Sequence, residues 1–389
     1  MNYPYVTGWA HTRFGKLDDT LEGLICQVAN AAVTDAGLEH REIDAIYVGH
    51  FNSGMSAQRC SGALVLEANE AFRFKPATRL ENACASGSAA MHAGINHILA
   101  GRGRNILVVG VEKMTHLNSG QAGECLLGAC YQAEESATKG GFAGIFGKIA
   151  QTYADRYGDQ SEGLAMIAAK NHRNGMHNPY AQLRKDLGFE FCNMISEKNP
   201  QVAGPLRRTD CSPVSDGAAA VVLTASDAVS AERRKVRFRS IAHVNDYFPM
   251  SRRDMSQLAG AREAWRHALM SAGIDLLDLD LAEVHDCFTQ AELMIYEAMG
   301  LTEPGEGTRA IREGWVERDG KLPVNLSGGL KAKGHPVGAT GVSMHVLAAM
   351  QLAGEAPEGM QVAEARLAGV FNMGGAGVVN YVSVLERAE

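Results

Sequence analysis

Cys84 is the residue of this chain best placed for covalent chemistry. It lies in Asn-Ala-Cys-Ala-Ser-Gly-Ser-Ala-Ala, residues 82–90, where a strand gives way to a helix. A helix N-terminus presents unpaired N–H groups and a partial positive charge. That setting predicts a thiol of lowered pKa, hence a nucleophile. The small residues after Cys84 let a substrate approach the sulfur. Without partners, a free cysteine is usually a small buried hydrophobe, so the reading depends on what else the chain supplies.

Three further stretches supply it. Residues 325–341 read Asn-Leu-Ser-Gly-Gly-Leu-Lys-Ala-Lys-Gly-His-Pro-Val-Gly-Ala-Thr-Gly. Glycines around a single His-Pro allow close backbone approach, and Pro336 holds the backbone of His335 extended. The loop lacks the Lys-Ser/Thr ending of a nucleotide-binding P-loop. His335 is the candidate general base. His285-Asp286-Cys287-Phe288 ends an apolar run, and strand C-termini are where α/β proteins place site residues. The plainer reading makes Asp286 the N-cap of the next helix. Last, Phe-Asn-Met-Gly-Gly-Ala-Gly at residues 371–377 is a turn whose backbone N–H groups, Gly374 among them, suit an oxyanion, or a plain hairpin.

The elements that carry these residues occur twice. Ala36-Gly37-Leu38 precedes an apolar run at 43–51, and Ala272-Gly273-Ile274 precedes another at 279–288. Met91-His92 leads to Ala100-Gly101 over the same length as Met344-His345 leads to Ala353-Gly354, and each pair precedes an apolar strand. Two related units of alternating strand and helix predict α/β layers with mostly parallel central strands. The halves are residues 1–234 and 235–389, the first carrying an insertion at about 115–208 rich in Gly, His, Asn and Met. Insertions of that length usually carry function. Cys84 and His335 stand at nearly the same distance before Gly101 and Gly354. Packing about a pseudo-twofold axis would bring both helix starts to one site.

Bulk properties narrow the chemistry. A net charge of -7 argues against nucleic acid or anionic membrane as a partner. Eight cysteines in 389 residues are too sparse for a disulfide scaffold. No Cys-x-x-Cys pair occurs, which argues against zinc. Reduced thiols fit a cytoplasmic location. No secretory or transit pattern opens the chain, no Ser-Lys-Leu closes it, and no apolar run reaches membrane-spanning length.

Together these motifs resemble the thiolase superfamily over the whole chain. The match rests on Asn-x-Cys-x-Ser-Gly, Gly-His-Pro-x-Gly-Ala-Thr-Gly and the late Gly-Gly turn, in that order. The resemblance implies two similar halves in a five-layered αβαβα thiolase fold with an inserted loop domain, assembled as dimers or tetramers. It implies coenzyme A (CoA) as substrate, with no metal and no tightly bound cofactor. Many thiolases carry a second reactive cysteine in the last turn, where this chain has Asn372. The His-Asp-Cys-Phe form instead resembles the sterol-carrier-protein-2 type and related archaeal and bacterial acetyl-CoA acetyltransferases. Asn82, Glu112-Lys113-Met114 and Ser215-Asp216-Gly217 fit that subgroup, and no sterol-carrier domain is expected after residue 389.

The resemblance gives Cys84 the nucleophile's role, His335 the base, Cys287 the second acid/base, and His335 together with His285, through a water, the enolate. The N–H groups of Cys84 and Gly374 would hold the oxyanion. Ser240 resembles the serine that contacts pantetheine, and Met114, Phe142, Phe146 and Met176 line the acyl pocket or belong to the core. Two other readings share the fold: a decarboxylating ketoacyl synthase using Cys84, His285 and His335, and an aldolase or scaffold subunit acting with a small partner.

Overall fold

Period-two alternation sorts the strands of the first half onto two faces. Leu107, Val109 and Val111 pack with Ala218, Ala220 and Val222 on one side. Ile106 and Val108 pack with Ala219, Val221 and Leu223 on the other. Strands buried on both faces read as unbroken apolar runs; Gly217–Thr224 has no exposed residue. The structure, a computed structural model, describes residues 3–230, 234 and 236–388. The start of the chain, its last residue and most of residues 231–235, where the boundary between the halves was placed, lie outside the described residues.

Nine strands form one sheet: β1 (Tyr5–His11), β2 (Ala45–Gly49), β3 (Ala77–Leu80), β4 (Asn105–Glu112), β5 (Gly217–Thr224), β6 (Val236–Asn245), β7 (Leu281–Val284), β8 (Leu367–Gly374) and β9 (Val379–Arg387). Their order is β3-β2-β4-β5-β1-β6-β9-β8-β7. The first half contributes β3-β2-β4-β5-β1 and the second β6-β9-β8-β7, joined where Tyr5 and Val6 pair with Arg237 and Val236. Val324 adds an isolated parallel bridge to Ala282, the counterpart of β3 beside β2.

The expectation of mostly parallel strands holds for direction but not for pairing. In each half every strand but the last points the same way. The last one, β5 or β9, runs back and inserts beside the first, so only the β2/β3, β2/β4 and β7/β8 ladders are parallel. The ladders at the centre are antiparallel.

The helices stack around this sheet. α1 (Leu21–Asp35) covers the outer face of the first half. α2 (Ser86–Leu99) and its counterpart α7 (Thr340–Ala353) lie between the halves, and α5 (Ala259–Ala272) covers β6 and β9. This is the layered αβαβα order. Every residue of α7 except Ala353 is buried, as an element covered on all sides requires. The insertion contributes α3 (Gly141–Tyr157) and α4 (Ser161–Gly175), and α6 (Thr289–Ala298) follows the His-Asp-Cys-Phe motif.

The two central helices touch backbone to backbone at their N-termini. A Cβ on Gly87 would lie 2.8 Å from both Gly338 O and Val342 N, and one on Gly341 would lie 2.3 Å from Ser88 N. Glycine is required at both positions by this approach.

Candidate active site

The turn into α2 presents Cys84. Ala83 takes a left-handed φ of 50°, a conformation that costs an alanine energy and persists only where the surroundings hold it. Ser86 is the local lock: its hydroxyl donates to Ala83 O at 2.6 Å and accepts from Asn82 N at 3.0 Å. Cys84 is buried, and its sulfur is faced by the N–H groups of Cys84 itself and of Gly375. The second donor on the sulfur is thus Gly375, the residue after Gly374, which was expected at an oxyanion. Gly374 ends β8 so close to the nucleophile loop that a Cβ there would lie 2.2 Å from Asn82 O.

Burial decides the charge state against the expectation from the helix start. The Cys84 thiol is pushed up to about 12, first by desolvation, with Cys130 and Glu112 adding to it, while the two N–H groups oppose. Desolvation outweighs the helix terminus because the sulfur has little access to water. Cys84 rests as a thiol and needs a base.

Two imidazoles, His335 and His285, stand beside that sulfur. The Sγ of Cys84 and one ring nitrogen each of His285 and His335 lie within 4.8 Å of one another. The two imidazoles meet edge to face, centroids 5.1 Å apart. Thr340 Oγ1 donates to Pro336 O at 3.0 Å and lies 2.7 Å from His335 Nδ1. A hydroxyl has one proton, so His335 Nδ1–H donates to Thr340 and Nε2 carries the lone pair. Ser215 Oγ accepts from the backbone N–H of His335 at 3.0 Å. Burial, helped by the Lys333 ammonium, lowers His335 to about 3. His285 is held well below its ordinary value by burial, then by His335 and Lys333. Both rings are neutral at physiological pH.

Cys287 lines the same cavity, which has a volume of about 370 Å³ and is walled by Cys84, Met114, Leu126, Phe142, Phe288 and His335 among others. Its thiol is held far above 9 by desolvation, then by Cys84 and Asp286. Of the expected pocket residues, Met114 and Phe142 line this cavity. Phe146 stands behind, stacked on Phe288 at 4.5 Å. Met176 is 43% exposed and lies elsewhere. Ser240 does not reach the site: it is buried in β6 and its hydroxyl donates to Ala268 O at 2.8 Å. The serine that lines the cavity is Ser212, beside a third thiol, Cys211.

Asp286 does not cap α6, which begins after Phe288 with no side-chain cap. Its carboxylate instead accepts from Leu330 N at 2.6 Å and Lys331 N at 3.1 Å. It thereby caps the short helix Gly329–Lys333 that delivers His335. Burial beside Glu292 raises Asp286 to about 7. Beneath it lies a buried layer in which Lys170 Nζ meets Glu292 Oε1 at 2.6 Å, and Asn171 Nδ2 donates to Asp286 at 2.8 Å and to Glu292 at 2.6 Å.

Two more carboxylates tie the loops. Glu112, fully buried, accepts from the N–H groups of Phe51, Asn52 and Gly338. Asp216 accepts from Met114 N, Thr115 N and Lys113 Nζ. Sequence reasoning placed both in motifs without a role, because a carboxylate that gathers backbone donors from distant loops leaves no local spacing.

A second cavity of about 670 Å³ shares the wall Arg208, Cys211, Ser212, Pro213 and Val214 with the first and adds Arg184, Lys185, Lys198 and Lys331. The two cavities therefore adjoin along this segment, one carrying these basic side chains and the other lined largely by apolar ones.

Known proteins bear on this arrangement. The family description "Thiolase, N-terminal domain" matches residues 5–189, and "Thiolase C-terminal domain-like" matches residues 242–387. An acetyl-CoA acetyltransferase of Methanothermobacter thermautotrophicus is 35% identical over 98% of this chain and 99% of its own length. Benzoylsuccinyl-CoA thiolase subunit BbsB of Thauera aromatica is 29% identical over 92% of this chain and 91% of its own. Among solved structures, an Ltp2-ChsH2(DUF35) aldolase superposes with a TM-score of 0.81 at 19% identity, covering 99% of this chain and 98% of that one. The Acat5 thiolase from Ascaris suum in complex with coenzyme A gives 0.74 at 17%, covering 99% and 100%. At those identities the structures show the fold alone.

Proposed function

The chain belongs to the thiolase family, and from that premise we propose that it transfers acyl groups between CoA and carbon through an acyl-cysteine on Cys84. The observation that carries this reading is the meeting of Cys84, His285 and His335 within 4.8 Å, with Cys287 in the same cavity.

The residues divide the work as follows. Cys84 attacks the thioester or 3-ketoacyl carbonyl. Because thiol and imidazole rest neutral, the proton passes to His335 Nε2 as the carbon–sulfur bond forms. The oxyanion is held by the N–H groups of Cys84 and Gly374. In condensation Cys287 first gives its thiol proton to the CoA thiolate that leaves on acylation; the thiolate of Cys287 then takes the α-proton of acetyl-CoA, and His285 donates through Nε2–H to the enolate oxygen. In cleavage Cys287 activates the CoA thiol. The pantetheine arm runs along Arg208–Val214, with the nucleotide phosphates on Arg184, Lys185 and Lys198. CoA is a substrate, and no metal or resident cofactor takes part in these steps. Residues 1–234 and 235–389 act as the two units that converge on the site. A homodimer or homotetramer in the cytoplasm completes the reading; among the described residues, no helix is long and apolar enough to cross a membrane.

The test is acetyl trapping. Incubation with acetyl-CoA should place one acetyl group on Cys84, none in Cys84→Ala, and Cys287→Ala should still acetylate but not form acetoacetyl-CoA. If a panel of acyl-CoAs leaves Cys84 bare while iodoacetamide still alkylates it, the scaffold reading wins. Condensation that requires a malonyl thioester points to the decarboxylating reading.

A further inference from the structure

Asn372 is buried on β8 and touches both catalytic elements. Its Nδ2 donates to the Cys84 carbonyl at 3.2 Å and lies 2.9 Å from His285 Nδ1, while Oδ1 accepts from Ser88 Oγ at 2.8 Å. A carbonyl oxygen can only accept, so the side of the amide facing Cys84 O is the NH2. The same NH2 faces His285 Nδ1, which must then carry the lone pair. The proton of the neutral imidazole sits on Nε2. His335 has the opposite tautomer, set by Thr340. One imidazole is thus a donor and its neighbour an acceptor.

A cysteine sulfur that can lose its proton and two imidazoles within 4.8 Å are also a ligand set that zinc accepts. Zinc needs a lone pair from each ring. His335 Nε2 offers one. On His285, Nδ1 is taken up by Asn372, so the nitrogen left for a metal is Nε2, and that one cannot, because its proton has no place on an Nδ1 that already faces an N–H.

We propose that Asn372 is a positioning residue that fixes the tautomer of His285. By doing so it makes His285 a donor to the substrate oxygen and keeps soft metal cations out of the Cys84, His285 and His335 trio. The donor half rests on the acyl-transfer reading; the metal half rests on geometry alone. Asn372→Asp replaces the donor by an acceptor, which holds the proton on Nδ1 and frees Nε2. A carboxylate behind a histidine is a recurrent support for bound zinc. Binding would release the Cys84 thiol proton to solvent.

The experiment titrates metal-free protein with Zn2+ by calorimetry and with Co2+ by absorbance. Asn372→Asp is expected to bind one Zn2+ per chain roughly 10–100-fold more tightly than wild type. It should show a thiolate-to-cobalt charge-transfer band that Cys84→Ala/Asn372→Asp lacks. Condensation by metal-free Asn372→Asp should fall roughly 10²–10³-fold, the usual effect of losing one such donor, with Cys84 still alkylated by iodoacetamide. Asn372→Ser, which leaves the ring free to choose, should bind Zn2+ with intermediate affinity and covers the case in which Asn372→Asp does not fold. Wild type binding Zn2+ as tightly as either variant, or Asn372→Asp condensing at the wild-type rate, overturns the proposal. Absence of acetyl on wild-type Cys84 would instead defeat the acyl-transfer reading and leave the zinc result standing.

Discussion

Gly87→Ala tests whether the contact between α2 and α7 sets the distance between nucleophile and base. The new Cβ would lie 2.8 Å from Gly338 O and Val342 N and 3.0 Å from Gly341 N, against 3.4 Å for an ordinary contact. All three neighbours are backbone, so the helices must separate by 0.4–0.6 Å. Alanine is the better helix former by about 1 kcal/mol, which works against a loss of stability. Overpacking against backbone costs about 1–3 kcal/mol, so the net change is a destabilisation of about 0–2 kcal/mol. The rate is the sharper reading. A misplacement of 1 Å costs about 10²-fold, so half that shift between Cys84 and His335 should lower the rate of acetyl-CoA condensation about tenfold. Initial rates and thermal melting are measured alongside Gly101→Ala, a position of φ +68° with nothing within 4 Å of its Cβ. That control should lose about 1 kcal/mol from strain and no activity. A Gly87→Ala enzyme with wild-type rate and melting temperature would show that the helix contact does not set the site.

Three further outcomes are expected. Thr340→Val removes the acceptor that holds His335 Nδ1–H and should cut the acylation rate about 10²-fold, with Thr340→Ser recovering most of it in single-turnover measurements. Lys170→Met strands the Glu292 carboxylate, which should cost about 3–5 kcal/mol in urea unfolding; a Lys170→Met/Glu292→Gln double variant equal to the single one would refute the pairing. Acid should destabilise the protein. His11, His172 and His335 are lowered by burial to about 3 and His345 to about 4, with His92 and His285 well below their ordinary value. Folded values below unfolded ones mean that the unfolded chain binds more protons as pH falls through about 6.5. Each ring then withdraws about 1.4 kcal/mol per pH unit until its folded value is reached. Asp286, raised by burial to about 7, acts in the opposite sense between about pH 7 and 4, and Glu283, also raised by burial, acts in the same sense as Asp286. Net uptake of protons on unfolding at pH 5 is the expected calorimetric result, and a stability flat from pH 7 to 5 would contradict it.

Much of this was readable in the chain because it is local or repeated. The apolar alternation of β4 and β5, the equal spacing of the two His-bearing helices and the His-Pro loop each lie within a few residues of one another. That was enough to pair Cys84 with His335; the choice of Cys287 in place of a cysteine at position 372 came from the resemblance to thiolases of the His-Asp-Cys-Phe form. What stayed hidden depends on residues distant in sequence. The antiparallel ladders arise because β5 and β9 return and insert beside the first strand, which no spacing records. Asp286 serves a helix more than 40 residues away. The thiol pKa was misjudged because a helix start is visible in sequence but desolvation is not. Ser240 and Ser212 look alike until β6 buries one of them. Residue types, and hence the available chemistry, were determined by the sequence; protonation state, tautomer and the exact donor on the sulfur were decided by tertiary packing, because each is set by which buried group faces which.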